Sequence, residues 1–594
     1  MRAATEGNDL SGIETGAEEP APVPVTAEDP GATPAAAGMG TLTGPRPRRP
    51  AAAVSSAPVR PDRVLGWLMA GVPALAGLVM GGYKIGFAPL WRDEASTKAV
   101  VGRPASQIFA LLHHADAVHG AYYLVMHVAV GILGTTAGSL RLPSLVAMAV
   151  ACAFTAAIAC RLAVAAGAPL ARFTGLCAGL VLATAPYMIR YAQEARSYAM
   201  VTMFATIATY CLLRALWDGR RWWVAYGAAV ALCGLFNIFG LLILAAHGVS
   251  LAIAGGHQRA TVARAAALTR GDRRRGAHSS DRSVFAPAGL TGRRVAGLPR
   301  RWLITGGVAV LVLVPLAVVA FGQRGQIAWV TRPHFQAVVA LAYNSAGSWR
   351  LIAPIFTLAV GGVLAELVVD RGRRPLTPGV VAFPWMIAPP VLLIAVSEFH
   401  PLYDERYVEF CLPALAILVA WGIAWITRLA TTTPMGQVGL AWLPSAAVIL
   451  GVAALLITPD KMIRLTSARP DNLLAASTIV RQYEKPGDII FYIPATGRIV
   501  GTAYPGPFGK LRDIALAASP SASATISGTE VSPPVLQSRF AHVTRVWTVM
   551  GITVGGSTGA VTPTDEEKLD LIGGMKEIGQ WWVGDTVLRL YAER

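Results

Sequence analysis

Two adjacent carboxylates, Asp93 and Glu94, stand in LWRDEASTKAV (90–100), just past an apolar run from Val64 to Gly82. A carboxylate at a membrane boundary can take the proton of a hydroxyl nucleophile. Other segments carry arginines outside the basic blocks: Arg141 in LRLPS (140–144), Arg190 and Arg196 in RYAQEARSY (190–198), Arg350, and Arg406 in PLYDERYVEF (401–410). Guanidinium binds phosphate bidentately. Beside these stand Gln193, Glu194 and Tyr198, Tyr403 and Tyr407, and Asp116, His119 and Tyr122 in DAVHGAYYL (116–124). A base, phosphate-binding arginines and amphipathic aromatics at one membrane face suit chemistry on a lipid-linked phosphate. Each cluster taken alone has a plainer reading. Asp93 and Glu94 could pair with Arg92 and Lys98, Arg196 with Glu194 or lipid headgroups, and residues 404–406 could form a solvated turn. His113, His114 and His119 near Asp116 do not have standard ligand spacing, so no metal or other cofactor is expected.

The elements that must position these groups are membrane helices. Of the 594 residues 54% are hydrophobic and 14% charged, against about a quarter charged in soluble domains. Eleven spans are predicted, near 64–83, 141–162, 173–190, 199–216, 222–238, 240–256, 302–321, 350–369, 379–397, 409–427 and 438–458. With the N-terminus inside, every strongly basic block falls on the cytoplasmic side, including the long loop 257–301. The net charge of +17 is therefore read as topology, and no nucleic-acid partner is expected. The apolar stretch 119–133 would upset this agreement if it crossed. It is read as a helix at the outer interface, within a first external loop 84–140. All six cysteines lie in apolar runs, so neither a disulfide framework nor a CxxC metal site is expected.

Three parts follow: a disordered cytoplasmic tail (1–63), a transmembrane module (64–458) and an external domain (459–594). In the last, 470–485 reads as a helix with Asp471 near its N-cap, 487–494 and 543–550 as strands, 565–579 as a helix and 581–594 as a closing strand. Residues 519–534 read as a flexible loop. Alternation of helix and strand predicts a small α/β domain.

The series LWRDEAS, DAVHGAYYL, LRLPS, RYAQEARSYA and LYDERYVEFCLPAL resembles the motif series of the GT-C polytopic glycosyltransferases, and most nearly the actinobacterial protein O-mannosyltransferase-like members. The resemblance runs over about residues 65 to 425. It implies the GT-C fold, plasma-membrane location, and inverting transfer of a sugar, mannose first, from a polyprenyl-phosphate donor to a cell-envelope glycan, lipoglycan or protein. Under it Asp93 is the general base and Glu94 positions Asp93 or the acceptor. Arg141 lines the donor phosphate path, Gln193, Glu194 and Arg196 complete the sugar and phosphate pocket, and Tyr403, Arg406 and Tyr407 line the donor side. The sequence departs from many relatives at His119-Gly120-Ala121, where they carry His-Pro-Pro, so acceptor geometry does not transfer. Arabinofuranose is the alternative sugar. A lipid or glycan transporter and an envelope scaffold are the alternatives to an enzyme. A transporter would show paired repeats, which the sequence lacks, and a scaffold would not need Asp93, Arg196 and Arg406 together.

Overall fold

The computed structural model describes residues 63–274, 298–327, 330–370, 374–551 and 562–594. The expected tail, except Arg63, and residues 275–297 of the expected basic loop lie outside them. Among the described residues eight helices are long and apolar enough to cross a membrane, and a bent pair makes a ninth. Membrane helices dominate because only a helix satisfies its own backbone polar groups in hydrocarbon. The chain is thus an α-helical polytopic membrane protein.

Helix α1 (Arg63–Gly82) leads to α2 (Arg92–Val101), α3 (Ala105–His114), a 3-10 turn (Ala117–His119) and α4 (Gly120–Leu133). With 14 residues, α4 is about 21 Å long, short of the roughly 30 Å hydrocarbon core. Next come α5 (Ala137–Ala165), α6 (Ala171–Ala183), α7 (Pro186–Ala192), α8 (Tyr198–Trp217), α9 (Arg221–Phe236) and α10 (Ile243–Arg274). Helix α5 packs against α1, α6 and α8 to centre the core. Its N-cap Thr136 accepts from Ser139 N, which starts the helix one turn ahead of Arg141.

Several expectations need correction. The span predicted at 173–190 bends by 61° between α6 and α7. Pro186 opens α7 and holds Ala185 in an extended conformation, as the residue before proline prefers. The span predicted at 64–83 coincides with α1 (Arg63–Gly82), whereas the one at 222–238 holds only the shorter apolar helix Arg221–Phe236. The second stops where Asn237 turns its side chain onto Phe239 N. Helix α10 continues to Arg274, so the first part of the predicted loop 257–301 is helical.

The C-terminal region carries a four-stranded sheet in the order β1-β4-β6-β5, with β1 Ile489–Ile493, β4 Arg545–Met550, β5 Lys576–Val583 and β6 Thr586–Ala592. Strands β1 and β4 are parallel and the other pairs antiparallel. The predicted helix 565–579 ends at Gly573 and Lys576 already belongs to β5; the Gly573-Gly574 pair breaks the helix. The predicted closing strand is a hairpin, because Gly584 (φ +65°) and Asp585 form a two-residue turn between Val583 and Thr586. The predicted flexible loop 519–534 is tied down: β3 (Thr529–Glu530) pairs with β2 (Leu516–Ala518), and Arg103 Nη2 donates to Thr525 O at 2.8 Å. Asn472, not Asp471, caps the helix Leu473–Tyr483.

Candidate active site

The site is built on α2. Successive helical residues point about 100° apart, so Arg92, Asp93 and Glu94 face three different neighbours. Arg92 turns to the C-terminal region, donating through Nε to Asp471 Oδ2 at 2.7 Å and through Nη2 to Asp585 Oδ2 at 3.1 Å. Leu90 N donates to Tyr504 OH and Lys98 Nζ to Ala503 O, so the same region grips both ends of the segment. Glu94 turns into the helix bundle, and Asp93 turns toward the arginines of the later segments.

Glu94 and Arg141 are wholly buried and bidentate: Nε to Oε1 is 2.7 Å and Nη2 to Oε2 is 2.6 Å. Glu94 Oε1 also accepts from Ala195 N at 2.9 Å. The remaining Arg141 donors go to the carbonyls of Ile85, Ala88 and Pro89. All five N–H groups of a guanidinium are then used. Arg141 therefore has no donor left for a phosphate, unlike the expectation that it lines the donor phosphate path, and the Glu94 carboxylate is taken up by Arg141 and Ala195 N, which agrees with positioning Asp93 rather than the acceptor. Together they clamp the start of α2 to α5. Burial pushes the Glu94 carboxyl up, but the Arg141 guanidinium outweighs it and holds the group below the usual range. Gln193 is likewise structural, its amide donating to Gly81 O and Tyr83 O at 2.8 Å.

Asp93 stands differently. Its Oδ2 lies 3.1 Å from Arg406 Nη1 and 3.5 Å from Arg196 Nη2, with the side chain 15% exposed. Asp404 braces Arg406 from behind through Nε and Nη2, each 3.0 Å away. Burial raises the Asp93 carboxyl, but Arg196 and Arg406 more than offset it and keep it below the ordinary carboxylate range. Arg196 is only 9% exposed, yet its Nε and Nη1 have no hydrogen-bond partner. Tyr198 packs 5.2 Å from Tyr191 and 6.5 Å from Tyr407, which stacks on Phe239 at 4.8 Å. These rings wall the arginine pair.

His119 faces Asp93 and Arg196, its Nδ1 unpaired; burial and the Arg196 charge push the imidazole down to about 4. Asp116 is an αL residue that accepts from Tyr123 OH at 2.7 Å, so it props the wall beside His119. The hydroxyls of Tyr122 and Tyr403 are buried and unpaired. Glu194 is buried and split: Oε2 pairs with Arg469 Nη1 at 2.7 Å and Oε1 has no partner. Burial lifts its carboxyl above the usual range against the pull of Arg469 and Arg190. His113 and His114 are exposed, and among the described residues no group of three or more His, Cys, Asp or Glu is placed to hold a metal ion. Arg350 is exposed.

Sequence reasoning missed Arg469 and the Asp471 partner of Arg92. Both lie after the last span, where the chain reads as the start of a soluble domain, so Arg469 carries no signal there and Asp471 reads only as a residue near a helix cap. Asp404 was read with its neighbours, but its role as the brace of Arg406 was not legible. A charge demanding a partner is visible only once its surroundings are buried.

No protein-family model matches the sequence, and no curated protein matches it. Solved structures do. ArnT from Cupriavidus metallidurans bound to undecaprenyl phosphate superposes with a TM-score of 0.51 at 14% identity, over 88% of this chain and 98% of that one. The same protein in the apo state gives 0.50 at 14% identity, over 89% and 98%. The oligosaccharyltransferase of Archaeoglobus fulgidus with a tethered acceptor peptide gives 0.45 at 11% identity, over 90% and 74%. The fold is the GT-C fold of ArnT, with a small C-terminal sheet domain.

Proposed function

We propose that this protein is a membrane glycosyltransferase that moves a sugar, mannose first, from a polyprenyl-phosphate donor to a hydroxyl of a cell-envelope glycan, lipoglycan or protein. The observation that carries the reading is Asp93 held between Arg406 and Arg196, the latter with two buried donors unpaired. A buried donor without a partner is costly, and a phosphate oxygen is the acceptor that suits a guanidinium best. The GT-C fold supports it, and ArnT, which shares that fold, has been crystallised with undecaprenyl phosphate.

In this reading the acceptor hydroxyl attacks the anomeric carbon from the face opposite the phosphate, and Asp93 takes its proton. The anomeric C–O bond breaks, and the electron pair leaves on the phosphate oxygen, where Arg196 and Arg406 stabilise it. A bound phosphate would share the charge of those arginines. Asp93 would then be a stronger base with donor present than without it. Asp93 and its neighbours face the cell exterior, with the N-terminus in the cytoplasm, and no metal takes part. Arabinofuranose is the second candidate sugar.

The test is transfer from labelled decaprenyl-phosphate mannose and, separately, decaprenyl-phosphate arabinose, by the full-length protein in membranes carrying their native acceptors. Label appearing in an envelope product names the donor. Transfer from neither, together with no binding of polyprenyl phosphate, sinks the reading.

A further inference from the structure

Residues 469–471 follow the helix Leu443–Met462 and lead into the C-terminal region. They fasten two separate parts of the site. Arg469 is 5% exposed. Its Nη1 donates to Glu194 Oε2 and its Nη2 to Gln193 O, both at 2.7 Å, while Nε has no partner. Two residues on, Asp471 accepts from Arg92 N at 3.2 Å, from Arg92 Nε at 2.7 Å and from Arg92 Nη2 at 2.8 Å. The β5–β6 turn holds the same residues, Asp585 N donating to Pro470 O at 3.1 Å.

The first tie reaches Arg196. Residues 193–197 are the non-helical link between α7 and α8, where buried backbone groups must find partners outside a helix. Ala195 N donates to Glu94 Oε1 at 2.9 Å, and Ala195 O accepts from Thr97 Oγ1 at 3.0 Å, both on α2. Arg196 O accepts from Ser144 Oγ of α5 at 3.2 Å. Arg469 closes the remaining end, and a planar guanidinium holding two acceptors fixes direction as well as distance. From this link Arg196 reaches Asp93 Oδ2 at 3.5 Å. The second tie reaches Asp93, which follows Arg92 in the chain. Each partner of the Asp93–Arg196 contact therefore stands within three residues of a group held by residues 469–471.

From these contacts we infer that Arg469 is a positioning residue of the transfer reaction: with Asp471 it fixes the 193–197 link against the start of α2 and so sets the separation of Arg196 from Asp93. The inference rests on the glycosyltransferase reading above. It adds that the chain entering the C-terminal region helps to build the site.

The test uses the full-length protein and whichever polyprenyl-phosphate sugar the wild type transfers. Arg469→Met is expected to lower kcat/KM by about tenfold to a hundredfold, the scale of a small misplacement of reacting groups. Two readouts separate this from mere loss of stability. Arg196 is the foremost charge lowering the Asp93 carboxyl, so an Arg196 that drifts away lets that pKa rise, and the acid limb of kcat/KM moves to higher pH. In an Arg196→Gln background Arg469→Met should cost little more, because Arg469 acts through Arg196. If Arg469→Met does not fold, Arg469→Lys keeps a charge beside Glu194 but lacks the fork, and should shift the acid limb the same way by a smaller amount. An acid limb unmoved in the folded variant overturns the inference and leaves the glycosyltransferase reading standing. So does an equal loss with and without Arg196. A wild type that transfers no sugar and binds no polyprenyl phosphate overturns the glycosyltransferase reading and this inference together.

Discussion

Glu94 with Arg141 and Asp93 with Arg406 are one chemistry in adjacent places, yet they end in opposite states. The first pair is sealed, every guanidinium donor is matched, and the carboxylate also holds a backbone amide. The second is partly open, and the neighbouring Arg196 keeps two nitrogens without partners. The contrast teaches how to tell a structural ion pair from a site. Burial and charge are common to both, and hydrogen-bond saturation separates them.

The widest separation between the two is expected from Asp93→Asn. Transfer should fall by about 10²–10⁴-fold, the range for loss of a general base, while the unfolding temperature in detergent stays near that of wild type. Equal transfer in wild type and variant would break the comparison, because Asp93 would then be no more than a second structural pair.

Arg141→Met should do the reverse. It strands Glu94 at zero exposure, and removing one partner of a buried pair costs about 3–5 kcal/mol. Thermal unfolding and the yield of folded protein should both report the loss, with or without substrate. Adding Glu94→Gln to Arg141→Met should restore part of that stability, since no buried charge is then left alone.

A subtler distinction lies in the pH profile. Asp93 is raised by burial and pulled lower still by Arg196 and Arg406, so the carboxylate is ionised at neutral pH. A base works in its ionised form, and the rate falls as pH drops through its pKa. Arg406→Gln removes one of the charges that lower that pKa. The acid limb of kcat/KM should therefore move to higher pH, toward neutrality. An acid limb left where it was in wild type would mean that Arg406 does not tune Asp93.

The smallest effect is expected where α2 meets the C-terminal region. Asp585 contacts Arg92 at 3.1 Å but is 65% exposed, so Asp585→Asn should cost less than about 1 kcal/mol. Asp471, fully buried against the same guanidinium, should matter far more. Equal destabilisation by Asp585→Asn and Asp471→Asn would mean that burial does not rank these two contacts.

Much of the helical architecture was legible because long apolar runs have few alternatives in a bilayer. What was misread lay at breaks in those runs, at Pro186, Asn237 and the Gly573-Gly574 pair, where one residue ends an element that its neighbours would extend. In the C-terminal region β1 and β4 were visible as apolar runs. The hairpin of β5 and β6 was not, because its turn is only Gly584 and Asp585.

The sequence by itself determined that the chain is a polytopic membrane protein with a small α/β region after its last span, since hydropathy and periodicity are local properties. It also brought Asp93, Arg196 and Arg406 forward together, as charges that membrane topology leaves unexplained. Only the tertiary structure decided what each charge does. Asp93 and Glu94 are neighbours in the chain, but a helical step of about 100° sends one toward Arg406 and the other toward Arg141. Arg469 became meaningful only when folding removed water from around it, because a buried polar group must find a partner and an exposed one need not.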